Sequence, residues 1–325
     1  MSKIQSITIN AFMHKIIDYA GLFPPAKLPL NIAFDNYLIY KGTFYNEFLS
    51  RFICPAALLP ELERIIKSYE GNCNEISLSV LARSSDKTDD FYLNFKEDLI
   101  YWSEFLKSFE NSVLTETLEL KIPDEIILEG NSEKISDLIK YVSMEIRNAL
   151  GHNVFIFFEC ITGKNLKSNI KNVIKSISIH NISENNCGFK LRTGGVTIDS
   201  FPESETIAYS IKECLDNSVP MKCTAGLHHP FRHFDKEIGV MMHGFINVFG
   251  AGIISMRHNI SHYEIVKMLN DENPMNFKFY NDLFEWNGYK VDIDEIKEAR
   301  NKLMISFGSC SFDDPVTDLK KLNLI

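Results

Sequence analysis

Short apolar, β-rich runs alternate along this chain with stretches whose apolar residues recur at helical spacing, the order expected of βα units that build a parallel sheet. Eight runs read as strands: IIDYAG (16–21), RFICPA (51–56), ISLSVLA (76–82), TLELKI (117–122), VFIFFEC (154–160), GFKLRT (188–193), PMKCTA (220–225) and LMISFG (303–308). Several are apolar on both sides, as strands buried under helices should be. Eight is also the number that closes a barrel whose interior is filled by side chains. The intervening helices show by period. Ile135, Leu138, Ile139, Val142 and Ile146 make one stripe after the cap-like Asn131, and Ser261 with Glu264 forms a capping-box pattern. The pattern predicts an α/β fold, a (β/α)8 TIM barrel in one domain over 1–325.

The stretch 228–302 breaks the regularity. It is too long for one βα connection and carries two helical segments and a hairpin around Trp286-Asn287-Gly288. It reads as an insertion between strands 7 and 8 that caps one side of the barrel mouth. A doubly wound open sheet is the competing architecture, but no GxGxxG turn follows the first strand.

Composition narrows the partners. A net charge of -9 argues against nucleic acid, which needs a broad basic face, while leaving room for a small anionic substrate in a locally basic pocket. No apolar run approaches the roughly 18 residues that cross a bilayer, so no membrane partner is expected. The N-terminus lacks the apolar core and cleavage site of a secretory signal. Cys54, Cys73, Cys160, Cys187, Cys214, Cys223 and Cys310 are odd in number, scattered and without a CxxC pair, so a disulfide framework and a zinc ribbon are not expected and a reducing cytoplasm fits. No cofactor is read from the motifs, and homo-oligomerisation stays open.

In such a barrel the chemistry sits at the carboxyl ends of the strands. Polar residues there are Asp18, Glu119, Lys121, Glu159, Lys190, Arg192, Lys222, His228, His229 and the turn Gly308-Ser309-Cys310-Ser311. Strand alternation puts Lys190 with Arg192 on one face, and Glu119 with Lys121. The two lysines inside buried strands stand out, because a buried ammonium needs a partner or a function. Neighbouring strands 6 and 7 would hold Lys190 near Lys222. A desolvated lysine beside another cation has a lowered pKa, and its neutral amine attacks a carbonyl to form a Schiff base. The alternative is that both pair with Glu159 and Glu119 as structural ion pairs, or bind an anion without a covalent step.

Over about 154–227 the chain carries Glu159-Cys160, Lys190-Leu-Arg-Thr193-Gly194, Pro202-Glu203-Ser204 and Lys222-Cys-Thr-Ala-Gly226, and near its end Phe307-Gly308-Ser309-Cys310-Ser311. These pieces resemble deoxyribose-phosphate aldolases, Schiff-base aldolases built on this barrel. The resemblance implies Lys190 as the Schiff-base lysine, Lys222 as the cation that lowers its pKa, Glu119 as a proton relay and the Gly308-Ser309 turn as a phosphate holder. Arg192 stands where that family has a small hydroxyl residue. His228-His229-Pro230, the long insertion and Asp18-Tyr19-Ala20-Gly21-Leu22-Phe23-Pro24-Pro25 have no counterpart there. Taken whole, the chain looks more like a bacterial protein family of its own on the same barrel, and the deoxyribose-phosphate substrate does not carry over.

Arg192 suits a planar carboxylate at least as well as a phosphate, or it pairs with Glu159. The Thr193-Gly194-Gly195 and Gly308-to-Ser311 turns offer backbone N–H groups to an anion, or serve packing alone. Cys310 is a reactive thiol near a helix N-terminus or a small buried residue. Of His228 and His229, adjacent on a loop, one should face the pocket as acid or base, or hold a metal with Asp18 or Glu159. No HxH pair or Cys-His set supports the metal. His14, His243, His258 and His262 read as structural or solvated. Loop 21–25 walls the pocket or plugs the rim. The expected function is an aldolase-like lyase acting on a small anionic carbonyl compound through a lysine Schiff base. The alternatives are a metal-assisted lyase, isomerase or hydrolase using Glu159, Asp18 and His228 or His229, and a non-catalytic binding barrel.

Overall fold

A computed structural model describes residues 7–69, 76–109, 113–160 and 166–325. Cys73 lies outside them. Eight strands form a closed barrel: β1 (Ile17–Tyr19), β2 (Leu49–Pro55), β3 (Ile76–Leu81), β4 (Val113–Lys121), β5 (Phe155–Glu159), β6 (Cys187–Arg192), β7 (Met221–Thr224) and β8 (Met304–Ser309). Their order is β1-β8-β7-β6-β5-β4-β3-β2, parallel and alternating with helices, so the fold is a TIM barrel. Each strand overlaps the apolar run that predicts it.

The chain divides into two compact units, Leu28–Tyr37 with Arg51–Lys190, and Met1–Lys27 with Leu38–Ser50 and Leu191–Ile325. In the former, the helix Ser132–Leu150 buries the Ile135, Leu138, Ile139, Val142 and Ile146 stripe. Asn131 starts it by accepting the Glu133 N–H at 2.9 Å, and Gly151 ends it in the left-handed region at φ 76°.

In the latter unit, the chain between β7 and β8 carries more structure than the sequence pattern indicates. It forms a two-stranded ribbon (His233–Asp235 with Val240–Met242) and a three-stranded sheet (Phe277–Phe279, Leu283–Trp286, Tyr289–Asp292). Three helices accompany them, Phe245–His258, His262–Leu269 and Ile293–Lys302, where the pattern predicts two. Ile293–Lys302 buries only Ile296, Ala299 and Arg300, too narrow a stripe to show a period, although Asp292 and Glu295 cap it as a box. The Trp286-Asn287-Gly288 hairpin forms as expected, with Asn287 and Gly288 at φ 48° and 86°, both left-handed as a tight hairpin turn requires. Ser261 and Glu264 form the expected capping box. The helix Phe245–His258 is buried without a break from Phe245 to Ser255, and its Phe245 ring stacks on Phe307 of β8 at 5.4 Å.

Arg300 fastens this segment to the chain start. Its buried guanidinium donates to the carbonyls of Phe12, His14, Met304 and Ile305, so its charge is solvated by backbone dipoles. Burial pulls its pKa to about 9, with Asp18 pushing the other way. No helix among the described residues is long and apolar enough to cross a membrane.

Candidate functional site

Among the described residues, each unit holds one buried charge cluster on the barrel strands. In the first, Lys190 Nζ lies 3.0 Å from Glu119 Oε2 and 3.0 Å from Glu159 Oε2. The strands dictate this arrangement. Glu159 of β5 is in register with Lys190 of β6, and Glu119 comes from β4 on the other side of β5. The side chains of Lys190, Glu119 and Glu159 keep only 6%, 1% and 10% of their exposure, so the ion pairs are little screened by water. Burial by itself pulls the Lys190 ammonium down, but Glu159 and Glu119 outweigh it and hold the group above the ordinary lysine value. The sequence reading expects a lowered pKa from a neighbouring cation; the two carboxylates reverse the sign. Ser79 and Thr117 extend the cluster, the Thr117 hydroxyl donating to Ser79 at 2.7 Å and Ser79 to Glu119 Oε1 at 2.6 Å. Both escaped the sequence reading, though each is a small hydroxyl residue inside an apolar run. Lys121, expected beside Glu119, gives its ammonium to Asp124 at 2.7 Å and Asp86 at 3.3 Å.

In the second cluster Lys222 Nζ sits 2.6 Å from Asp18 Oδ2, and Ser306 Oγ donates to the same oxygen at 2.6 Å. All three residues are fully buried. The sequence reading places Asp18 as a substrate or metal ligand and gives Lys222 a glutamate as its ion-pair alternative. The structure pairs Lys222 with Asp18, because β1 and β7 both adjoin β8. Ser306 escaped notice, and its signal is again one hydroxyl in an apolar strand.

The turns after β6, β7 and β8 carry the remaining candidates. Thr193 donates its N–H to Thr224 O at 2.9 Å and its hydroxyl to Ala225 O at 2.6 Å, so both donors serve the β7 turn. A Cβ on Gly194 would come within 2.7 Å of the Gly226 Cα, and Gly226 itself is left-handed at φ 77°. These two glycines allow two backbones to touch. Gly195 packs against the Ser200 side chain, whose Cβ an added methyl would meet at 2.5 Å. Arg192 is exposed at the end of β6. Gly308 pairs in register with Asp18 and Thr224 within the sheet.

The adjacent histidines diverge, as a loop pair should. His229 Nδ1 meets Asp318 Oδ2 at 2.5 Å, and its ring meets His233 edge-on. His228 turns to Ser309 Oγ at 3.5 Å and Cys310 Sγ at 4.0 Å. Ser309 donates to Ser311 O at 2.6 Å, the Ser311 N–H returns to Ser309 Oγ at 3.3 Å, and Ser311 Oγ accepts the Asp314 N–H. Among the described residues no three His, Cys, Asp or Glu side chains converge to hold a metal ion. Asp18, His228 and His229 each face different partners.

A (β/α)8 barrel with buried ionisable groups on its strands fits an enzyme. No protein-family model matches the chain, and no curated protein matches it either.

Proposed function

We propose that the chain is a Schiff-base lyase of the aldolase type. Lys190 is its nucleophile, and its substrate is a small carbonyl compound bearing a carboxylate or phosphate. The observation that carries this reading is the Lys190 ammonium placed 3.0 Å from each of two buried carboxylates. Such a cage holds the ammonium tightly, yet it favours the iminium for the same reason. An ammonium and a carbonyl give an iminium and water, so one positive charge faces the carboxylates before and after.

Glu159, the more open of the two acids, takes a proton from the ammonium, and the freed nitrogen pair forms the bond to the carbonyl carbon. The same acid returns that proton to the former carbonyl oxygen, giving the carbinolamine, then carries the second N–H proton to the same oxygen, which leaves as water. Glu119, whose other oxygen is tied by Ser79, stays charged as counter-ion. The iminium then draws in the electron pair of the adjacent carbon–carbon bond as a β-hydroxyl proton passes to a base. An enamine and a free aldehyde result. Arg192 is the guanidinium that the sequence pattern offers to the substrate's anion.

The test is borohydride reduction of the protein incubated with small aldehydes, keto acids and phosphorylated ketones, followed by peptide mass mapping. The expected result is a reduced adduct on Lys190 that is absent from Lys190→Arg. Turnover of a compound with no lysine carrying its mass would dismiss the covalent mechanism.

A further inference from the structure

We propose that Cys310, with His228 as its general base, is a second nucleophilic site, one that takes soft carbon electrophiles of the α,β-unsaturated carbonyl class. It lies where three carboxyl-end segments of neighbouring strands meet: the loop after β1, the loop after β7 and the end of β8. It stands independently of the Lys190 reading.

The hydrogen bonds fix the imidazole's tautomer. Ser309 Oγ uses its one proton on Ser311 O at 2.6 Å, so towards His228 Nδ1, 3.5 Å away, it can only accept. Nδ1 therefore carries the proton, and Nε2 presents its lone pair to the Cys310 sulfur at 4.0 Å. Burial pushes the Cys310 thiol up, while the backbone amides of Ala26 and of Cys310 itself favour the thiolate. Burial lowers His228 below the ordinary imidazole value, Asp314 opposes this, and His229 and His233 add to it. The resting pair is thus a neutral thiol beside a neutral base. Cys310 keeps 9% of its surface, more than Cys54, Cys160, Cys187, Cys214 or Cys223. Burial drives those five thiols upward, Cys160 and Cys223 to about 12.

The neighbouring amides select the electrophile. Acyl transfer needs N–H donors for an oxyanion, but Ser311 N–H is held by Ser309, Asp314 N–H by Ser311, and Ala20 N–H by the Ser309 carbonyl. Conjugate addition needs only the base. His228 Nε2 takes the thiol proton, the sulfur pair bonds to the β-carbon, and the displaced π pair moves toward the carbonyl. The imidazolium then returns the proton to the α-carbon. One C–S and one C–H bond replace the π bond and the S–H bond, with no leaving group and no oxidant.

Substoichiometric N-ethylmaleimide, with peptide mapping over time, tests this on the full chain. Cys310 should label ahead of Cys54, Cys160, Cys187, Cys214 and Cys223, and His228→Asn should slow it about 10²-fold, the usual worth of a positioned base. In the wild type the Cys310 rate should level off once His228 is neutral, rather than climbing about tenfold per pH unit as an unassisted thiol does below its pKa. Ser309→Ala, which frees Nδ1, should bring back part of that climb. Labelling of Cys310 no faster than the buried thiols, an unaffected His228→Asn, or a wild-type rate that climbs without a plateau would each overturn the proposal. The wild-type profile decides even if the variants do not fold.

Discussion

Ser79 donates to one oxygen of Glu119 at 2.6 Å while Lys190 binds the other at 3.0 Å. The carboxylate is therefore held at both ends, and Thr117 backs Ser79 through a further hydroxyl. A buried carboxylate with a single partner could swing; this one presents Oε2 in one orientation. Lys190 in turn is fixed by the second acid, Glu159. The Lys190 ammonium is thus a charge that both acids share.

Lys190→Met should accordingly destabilise the fold by about 3–5 kcal/mol at neutral pH, the usual loss when one partner of a buried pair is removed. The two acids left behind repel each other in a dry site, and one should take up a proton with a raised pKa. A carboxyl whose folded pKa is raised contributes below its unfolded value and loses that contribution as pH rises through the folded value. The deficit against wild type should thus be smallest near pH 4–5 and grow toward neutrality. Lys190 itself is raised in the wild type, so its own contribution persists up to the ordinary lysine value near 10.4 and is lost above it. Urea midpoints of the two proteins from pH 4 to 11 check both limbs; a deficit independent of pH would refute the account.

The Asp18–Lys222–Ser306 cluster should behave as a unit. Ser306→Ala removes one donor from a buried carboxylate and should cost about 1.5–3 kcal/mol, and Lys222→Met should cost about 3–5 kcal/mol. Removing both charges together, as Asp18→Asn with Lys222→Met, should recover most of the second loss, because neither member of the pair is left charged opposite a neutral partner. Additive losses in the double-mutant cycle would show that Asp18 and Lys222 are not coupled.

These two clusters mark what the sequence made legible and what it hid. Short apolar runs and stripes with period 3.6 are imposed by burial, so all eight strands and the Ser132–Leu150 helix could be read from them. Lys190 and Glu159 could be read as neighbours because they end adjacent strands. The partner of Lys222 could not be, since Asp18 is 204 residues away and strand order across the closure is invisible to local pattern. The sign of the Lys190 pKa was missed for the same reason. The charge balance of a site depends on which side chains converge, and Glu119 and Glu159 together outweigh burial. Ser79, Thr117 and Ser306 escaped because a small hydroxyl in a strand is usually unremarkable.

Gly194→Ala and Gly226→Ala should both destabilise, the second more. An added Cβ at position 194 meets the Gly226 Cα at 2.7 Å and the Phe201 ring at 2.8 Å, so backbone has to move. At position 226 the methyl meets the Gly194 Cα at 2.8 Å and must also adopt φ 77°. Overpacking of this kind costs about 1–3 kcal/mol, and the left-handed conformation adds to it. Thermal melting of the two variants checks the order. Equal or negligible losses would mean that the turns after β6 and β7 separate easily.

His243 should set the acid limit of stability in its unit. The imidazole meets Pro202 O through Nε2 at 2.7 Å and Arg232 Nη1 through Nδ1 at 3.0 Å. The carbonyl requires a proton on Nε2, and the guanidinium requires a lone pair on Nδ1, so the ring is neutral. Burial lowers its pKa from 6.5 to about 4, helped by Arg232 and opposed by the bond to Pro202. A depressed pKa contributes stability above the unfolded value and loses it as pH falls through the folded one. Between pH 6.5 and 4 this single group should therefore remove about 3 kcal/mol. His243→Gln keeps a donor and an acceptor but does not titrate. It should flatten that part of the profile while leaving the midpoint at pH 7.5 little changed. Urea midpoints at half-unit pH steps decide it, and a variant whose profile runs parallel to the wild type would place the acid sensitivity elsewhere.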